Sequence, residues 1–179
     1  TEYNSFIDDD SGFELPTVDR SRTTPEVITM SFVPGVPIET LTDAPCHLRN
    51  QVATRLLALV LKEVFEWGLV QTDAHFGNYR YQPGQDRIGL LDFGSTRHYS
   101  SDLIDAFRRL MGAAREGNVF AVERHAVELG YLRADEAVPY RQGLCEMISA
   151  VAEPLRYPGP FDFGTSDLSR RVAEHAISL

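Results

Sequence analysis

Three side chains whose oxygen atoms could bind a metal ion occur at two places in the sequence, and together they suit metal-assisted transfer of a phosphoryl group. Asp73 and Asn78 lie five positions apart in a polar segment, and Asp92 opens an Asp-Phe-Gly triplet. Their oxygens suit a hard cation such as Mg²⁺, which shares its other positions with phosphates and water. The pattern predicts Asn78 and Asp92 as magnesium ligands and leaves Asp73 to orient, or accept a proton from, an attacking hydroxyl or water. A structural alternative stays open, in which these residues only make turns and cap a strand.

The order of these residues matches that of a protein-kinase site. There, Asp-x-x-x-x-Asn in the catalytic loop precedes a metal-binding Asp-Phe-Gly. Each piece is common by chance, so the ordered pair is the specific signal. A second Asp-Phe-Gly, at residues 162–164, follows Pro158-Gly159-Pro160 instead of an apolar strand, and no matching loop precedes it. We therefore assign Asp162 to an ordinary loop.

The elements around the pair must fold back to bring it together. Short strand patterns at 78–81 and 87–91 flank the turn sequence Pro-Gly-Gln-Asp at 83–86, which predicts a hairpin. The hairpin returns the chain, so Asp92 comes back toward the loop before the first strand. Upstream, apolar residues recur every three or four positions from 45 to 67. They predict a central helix that is apolar nearly all round and ends at Gly68.

The remaining patterns predict an α+β fold class. Apolar and β-branched residues over 26–33 favour a buried strand that ends at Pro34-Gly35. Four helices are predicted downstream, one from Ser100 or Ser101 and the others over 118–129, 135–152 and 167–177.

Composition and charge exclude several classes of function. The 179 residues are 43% hydrophobic and 24% charged, an ordinary globular mix. The net charge of −9 gives nucleic-acid binding no general electrostatic support, so no nucleic-acid partner is predicted. No apolar run is long enough to span a bilayer, so no transmembrane segment is predicted either.

Four stretches of the chain resemble the UbiB-type atypical kinases linked to coenzyme Q biosynthesis. Residues 24–38 are similar to that family's hinge, and residues 71–79 and 90–97 are similar to its catalytic and metal motifs. Residues 160–165, Pro-Phe-Asp-Phe-Gly-Thr, resemble a late motif of its mitochondrial and proteobacterial branch. The resemblance runs over nearly the whole chain.

The resemblance implies ATP and Mg²⁺ as cofactors, with Asp73 as the catalytic aspartate and Asn78 and Asp92 as metal ligands. Met30 would stand at the gatekeeper position, with backbone groups of Ser31 and Val33 at the adenine edge. Residues 1–35 would end an N-terminal lobe and form the hinge. Residues 36–179 would form a mainly helical kinase-like C-terminal lobe.

Departures from ordinary protein kinases shape the expected activity. Gln71-Thr72 replaces the usual His-Arg before the catalytic aspartate, and no Ala-Pro-Glu follows Asp-Phe-Gly, which leaves little room for a protein substrate. This agrees with a family of ATPases or small-molecule kinases. The family's nucleotide loop and strand lysine are not found and would precede Thr1. We therefore expect this chain alone to bind ATP weakly and to be weakly active or inactive.

Two alternatives to a ubiquinone-pathway kinase or ATPase stay open. One is an aminoglycoside-type phosphotransferase, which shares the acidic motifs, and the other is a non-catalytic scaffold that binds a lipid or a biosynthetic complex. Under the preferred interpretation, a nucleotide is one partner, and the candidates for a second partner are a lipid, a quinone precursor and the coenzyme Q biosynthetic complex. The location would be the bacterial cytoplasm, with or without membrane association, or the mitochondrial matrix.

Overall fold

Residues 2–8 and 11–178 are described by a computed structural model, and they group into two units, 1–99 and 100–179. Both strands and helices are present, as the α+β prediction requires. The predicted boundary between residues 35 and 36 would separate the end of an N-terminal lobe and its hinge from a kinase-like C-terminal lobe; it rests on resemblance alone and stays a prediction.

A four-stranded sheet carries the predicted hairpin of the first unit. The hairpin strands pair antiparallel with Tyr81 opposite Ile88, and Asp86 takes a left-handed conformation (φ 51°) in the turn, which aspartate tolerates. The hairpin prediction is confirmed. In sheet order the strands are β1 (Phe13–Glu14), β5 (Arg87–Leu90), β4 (Tyr79–Gln82) and β2 (Val36–Pro37), and only the β1–β5 pair is parallel.

The predicted central helix packs on one face of this sheet. Helix α1 (Cys46–Lys62) runs into a π-helical turn over Glu63–Trp67 and ends at Gly68, whose φ of 64° allows the left-handed turn. Its extent is confirmed, but its predicted all-round burial is wrong. One stripe of α1 is buried with the sheet, whereas Leu57, Val60 and Leu61 are exposed among the described residues. The buried core comprises Ile38, Val52, Leu59, Tyr79, Tyr81, Ile88 and Leu90.

A second sheet has two strands, one before the candidate motifs in the sequence and one after them. Strand β3 (Leu69–Gln71) pairs antiparallel with β6 (Thr96–His98), with Gln71 opposite Thr96. The loop after β3 carries Asp73, and the segment before β6 carries Asp92. The pairing therefore holds the start of one loop beside the end of the other.

The buried strand predicted over residues 26–33 is wrong. Only Met30 makes a bridge there, with Val18, and the segment otherwise bonds to residues 17–24 as a loop. Phe32 is 83% exposed, and Val27 and Ile28 are also exposed. β-branched composition supplies a preference for extended backbone, but a strand also needs paired neighbours and a covered face. Among the described residues, this segment has one bridged residue and a few hydrogen bonds to residues 17–24, and most of its side chains are exposed.

The second unit is helical, as predicted. Ser100 caps α2 (Ser101–Glu116) by accepting a hydrogen bond from the Leu103 amide at 3.3 Å, and Asn118 caps α3 (Val119–Glu128) by accepting one from the Ala121 amide at 3.1 Å. Alanines 113, 114, 126 and 152 are buried where the helices approach closely. The helices are α2 (Ser101–Glu116), α3 (Val119–Glu128), α4 (Val138–Val151), α5 (Glu153–Arg156) and α6 (Leu168–Ser178).

Candidate active site

Hydrogen bonds from Thr72 hold the start of the loop that carries Asp73 against the segment after Asp-Phe-Gly. The Thr72 amide donates to the Ser95 carbonyl at 2.9 Å, and its hydroxyl donates to the same oxygen at 2.6 Å. These bonds extend the β3–β6 pairing by one residue. The two motifs that sequence order suggested are thus neighbours in space.

One side chain, that of Gln71, connects the backbones of the two predicted acidic residues. Its Oε1 accepts a hydrogen bond from the Asp73 amide at 3.0 Å, and its Nε2 donates to the Asp92 carbonyl at 2.6 Å. Both ends of a single amide group are therefore used, one on each motif.

Asn78 closes the loop from its other end. Its Nδ2 donates to the Asp73 carbonyl at 3.1 Å, and its own carbonyl accepts from the Leu91 amide at 3.0 Å. The side-chain bond assigns the nitrogen of the amide, so the Asn78 Oδ1 is the atom left for a cation. Asp73, Asn78 and the residue before Asp92 are thereby tied together.

The Asp92 side chain folds back on its own loop. Its Oδ1 accepts a hydrogen bond from the Gly94 amide at 2.8 Å, and no side chain among the described residues donates to its carboxylate. A Cβ on Gly94 would lie 3.2 Å from that oxygen, so glycine leaves room for the turn. The carboxylate keeps the lone pairs that a hard cation requires.

The second Asp-Phe-Gly forms the same local turn without the same neighbours. The Asp162 Oδ1 accepts from the Gly164 amide at 2.9 Å, and the Thr165 hydroxyl together with this amide lowers the pKa of Asp162. The contacts of Asp162 are local, whereas the Asp92 carbonyl accepts a hydrogen bond from Gln71 on strand β3. The loop prediction for Asp162 fits these local contacts.

Asn78 and Asp92 line one small cavity of about 10 Å³, together with the buried side chains of Tyr3, Glu63 and Tyr79. Asp73 is exposed, and its carboxylate takes no hydrogen bond among the described residues. The Asn78 and Asp92 donors are hard oxygens, so they fit Mg²⁺. The described part of the chain holds no cluster of three or more histidine, cysteine, aspartate or glutamate side chains that could bind a metal. The predicted assignments of Asp73, Asn78 and Asp92 stay predictions.

Sequence reasoning missed Glu63, a carboxylate buried beside this cavity. It is 4% exposed in the π-helical turn, and its Oε2 accepts a hydrogen bond from the Gln71 amide at 3.3 Å. Burial raises the pKa of Glu63. Burial also raises the pKa of Tyr3, and the nearby Glu63 carboxyl raises it further. The signal was a glutamate four residues after Leu59, on the buried stripe of α1.

The predicted adenine-binding residues differ in exposure, with Met30 and Ser31 exposed and Val33 buried. Met30 is 47% exposed and Val33 is buried. The Ser31 amide already donates to the Thr17 carbonyl at 2.8 Å, which leaves its own carbonyl as the group that could face an adenine edge. These three assignments remain predictions from resemblance.

The fold and the ordered motifs together define a kinase-like protein. A solved structure, the Rv3197–erythromycin complex from Mycobacterium tuberculosis, aligns with 87% of this chain and 39% of that one, with a TM-score of 0.67. The two sequences are 23% identical, so the match establishes the fold alone. It confirms the predicted α+β, kinase-like fold class.

Residues 1–126 match the family model described as the ABC1 atypical kinase-like domain, and the chain belongs to this family. Over 95% of the chain, it is 28% identical to atypical kinase COQ8B, mitochondrial, from Rattus norvegicus and 31% identical to the Danio rerio protein of that name. It is 29% identical over 96% of its length to atypical kinase COQ8, mitochondrial, from Saccharomyces cerevisiae. These matches confirm the predicted UbiB-type family.

The chain covers 32%, 27% and 34% of these three relatives, which is about a third of their length. No helix among the described residues is long and apolar enough to cross a membrane. What the whole protein does is therefore a matter for proposal.

Proposed function

We propose that this chain forms the metal-binding and phosphate-binding part of an atypical kinase or ATPase that supports coenzyme Q biosynthesis. The observation that carries the proposal is the side-chain amide of Gln71. It accepts a hydrogen bond from the backbone amide of Asp73 on one loop and donates one to the backbone carbonyl of Asp92 on the other. Turn residues with only local functions need no such connection between distant loops. The COQ8 names of the relatives give the pathway.

The proposed ligands of Mg²⁺ are Asn78 and Asp92, and ATP is the proposed nucleotide. Bound Mg²⁺ would neutralise charge on the β- and γ-phosphates. The chain contributes by fixing its two ligands before any cation arrives. Asn78 is oriented by its bond to the Asp73 carbonyl, and Asp92 by the bond from the Gly94 amide.

Asp73 is the proposed catalytic aspartate. Its amide donates to Gln71 and its carbonyl accepts from Asn78, so both sides of its backbone are fixed while its carboxylate stays exposed. A carboxylate held in this way can orient an attacking hydroxyl or water and accept its proton. Such a group acts without moving the metal ligands.

The adenine contacts are proposed for the segment around Met30. The Ser31 carbonyl and the Val33 amide are the backbone groups that would meet the adenine edge, with Met30 beside them. Support comes from the Ser31 amide, which is already used by Thr17, so only the carbonyl of that residue is available.

A small acceptor or water, not a protein, is the proposed phosphate acceptor. Only Gly94 and Ser95 stand between Phe93 and β6, and α2 begins at Ser101. This short connection offers little surface for docking a protein substrate. A lipid or a quinone precursor suits the coenzyme Q pathway, and the mitochondrial names of the relatives favour the mitochondrial matrix over the bacterial cytoplasm.

Steady-state ATP hydrolysis by the full-length protein tests this proposal. Asp73→Asn keeps the size of the side chain but removes the proton acceptor, so turnover should fall at least about 10²-fold. Asp162→Asn is the matched control and should leave turnover unchanged.

Three outcomes would contradict the proposal. The first is unchanged hydrolysis by Asp73→Asn. The second is phosphate transfer to an aminoglycoside, which would favour the antibiotic-type phosphotransferase. The third is full rescue of coenzyme Q synthesis in cells by an Asp73→Ala, Asp92→Ala double variant, which would favour a non-catalytic scaffold.

A further inference from the structure

We infer that Gln71 is a positioning residue that fixes two loops relative to each other: the catalytic loop, residues 72–78 around Asp73, and the metal loop, residues 91–95 around Asp92. The inference rests on the proposed function and adds to it a residue whose side chain bonds to backbone atoms of both loops. Its side chain bonds to the backbone of Asp73 and of Asp92, as described above.

The backbone of Gln71 is a fixed point from which its side chain reaches out. Its amide donates to the buried Glu63 carboxyl at 3.3 Å, and Gln71 lies opposite Thr96 in the β3–β6 pairing. The next residue, Thr72, donates twice to the Ser95 carbonyl. The Gln71 backbone is therefore fixed both by Glu63 and by the β3–β6 pairing, so its side chain starts from a defined position.

The two bonds require both a donor and an acceptor at the end of one side chain. The Asp73 amide needs an acceptor, and the Asp92 carbonyl needs a donor. A glutamine amide supplies one of each on a single rigid plane. An ionised glutamate has only acceptors, so one of its oxygens would face the Asp92 carbonyl. Asparagine has the right groups but is one methylene shorter.

The Gln71→His variant tests the two hydrogen bonds of the side chain separately. A neutral imidazole of similar reach can donate to the Asp92 carbonyl, but its one remaining ring nitrogen points elsewhere than the glutamine oxygen does. Gln71→His should therefore keep the metal loop in place and release the Asp73 amide. Gln71→Glu should disturb the Asp92 side, because it replaces the donor with an acceptor.

The first readout is amide hydrogen exchange in the full-length protein without nucleotide. In Gln71→Glu, the segment 91–95 should exchange at least about fivefold faster, because a hydrogen bond worth about 1 kcal/mol is lost there. In Gln71→His, only the segment 72–78 should become faster. Gln85→Glu, an exposed residue in the hairpin turn, makes the same charge change as a control.

The second readout is the dependence of ATP hydrolysis on Mg²⁺ concentration. Residues that orient metal ligands typically change affinity or activity by about 10–100-fold when mutated, so Gln71→Glu should raise the half-saturating Mg²⁺ concentration at least about tenfold. Gln71→His should lower kcat while leaving half-saturation near the wild-type value. A residue that only supports folding would lower the melting temperature without separating these two parameters.

The outcomes distinguish this inference from the proposed function. If the wild-type protein hydrolyses ATP and Gln71→Glu behaves like Gln85→Glu in both readouts, the inference is wrong. If the wild-type protein hydrolyses no ATP, the proposed function fails and hydrogen exchange alone decides whether Gln71 holds the loops. If Gln71→Glu does not fold, as judged by circular dichroism, Gln71→His decides: exchange at 72–78 equal to that of the wild type overturns the inference.

Discussion

The acidic residues of the candidate site differ in their exposure to water, and this difference indicates different functions. Asp73 and Asp92 are exposed, so they can meet a substrate or a cation, whereas Glu63 is buried and lines the small cavity that Asp92 also lines. A buried carboxyl favours its neutral form. Glu63 therefore suits a structural function, since it accepts the hydrogen bond from the Gln71 backbone amide, whereas chemistry is proposed for the two exposed aspartates.

The raised pKa of Glu63 makes a prediction about stability and pH. Above the ordinary glutamate pKa of about 4.3 and up to the raised value, the folded state binds more protons than the unfolded state. This contribution to the free energy of unfolding is therefore full at low pH and is lost as pH rises through the raised pKa. Glu63→Gln keeps an acceptor for Gln71 and removes the titration, so its stability relative to the wild type should increase with pH.

Urea unfolding at several pH values from 4 to 8 measures this difference. Glu66→Gln is the matched control, because Glu66 lies in the same turn but is exposed. Its pH profile should run parallel to that of the wild type. A parallel profile for Glu63→Gln as well would show that Glu63 ionises as easily in the folded protein as in the unfolded chain.

At the level of residues, the sequence could suggest the set Asp73, Asn78 and Asp92 but not what holds it. The motif spacing is local information, and it identified these three side chains. The bonds of Gln71 and the burial of Glu63 depend on which strands and turns meet. A single sequence does not specify such contacts between distant segments.

At the level of elements, the β4–β5 hairpin is shaped by a residue without a side chain. Gly89 lies opposite Arg80 on the face away from the Tyr81–Ile88 core, and the Val33 methyl group Cγ1 occupies the place where a Cβ on Gly89 would be. The buried Val33 therefore packs on bare backbone. The hairpin that precedes Asp92 is therefore in direct contact with the segment predicted to meet adenine.

Gly89→Ala should force Val33 away from the hairpin. Overpacking of this kind costs about 1–3 kcal/mol of folding free energy. Gly84→Ala is the matched control in the hairpin turn, where a Cβ would meet nothing within 4 Å. Urea denaturation measures both, and equal stabilities for the two variants would contradict the packing described here.

Local signals explain which elements the sequence could predict. The hairpin and the helices were right because turn residues, caps and helical periodicity are short-range features, as at Ser100 and Gly68. The strand over 26–33 was wrong because its composition says nothing about whether a neighbour covers it. The all-round burial of α1 failed for the same reason, since apolar residues such as Leu57 are found on an exposed face.

At the level of the whole molecule, similarity to known proteins identifies the family and the fold more specifically than composition and charge do. The family match covers residues 1–126, and the fold is shared with a mycobacterial protein at 23% identity. The net charge of −9 argues against nucleic-acid partners but does not select a substrate. The acceptor, the pathway and the location therefore rest on the proposal and not on the fold.

The central claim is that Asn78 and Asp92 bind one divalent cation with a nucleotide, and Mn²⁺ binding tests it most directly. The dissociation constant of Mn²⁺ would be measured by calorimetry in the full-length protein, saturated with a non-hydrolysable ATP analogue. Asp92→Ala removes a ligand and should weaken binding at least about tenfold. Asp162→Ala removes the same turn from a loop without the Gln71 contact, so its constant should stay within about twofold. Equal Mn²⁺ affinities for Asp92→Ala and the wild type would contradict the account.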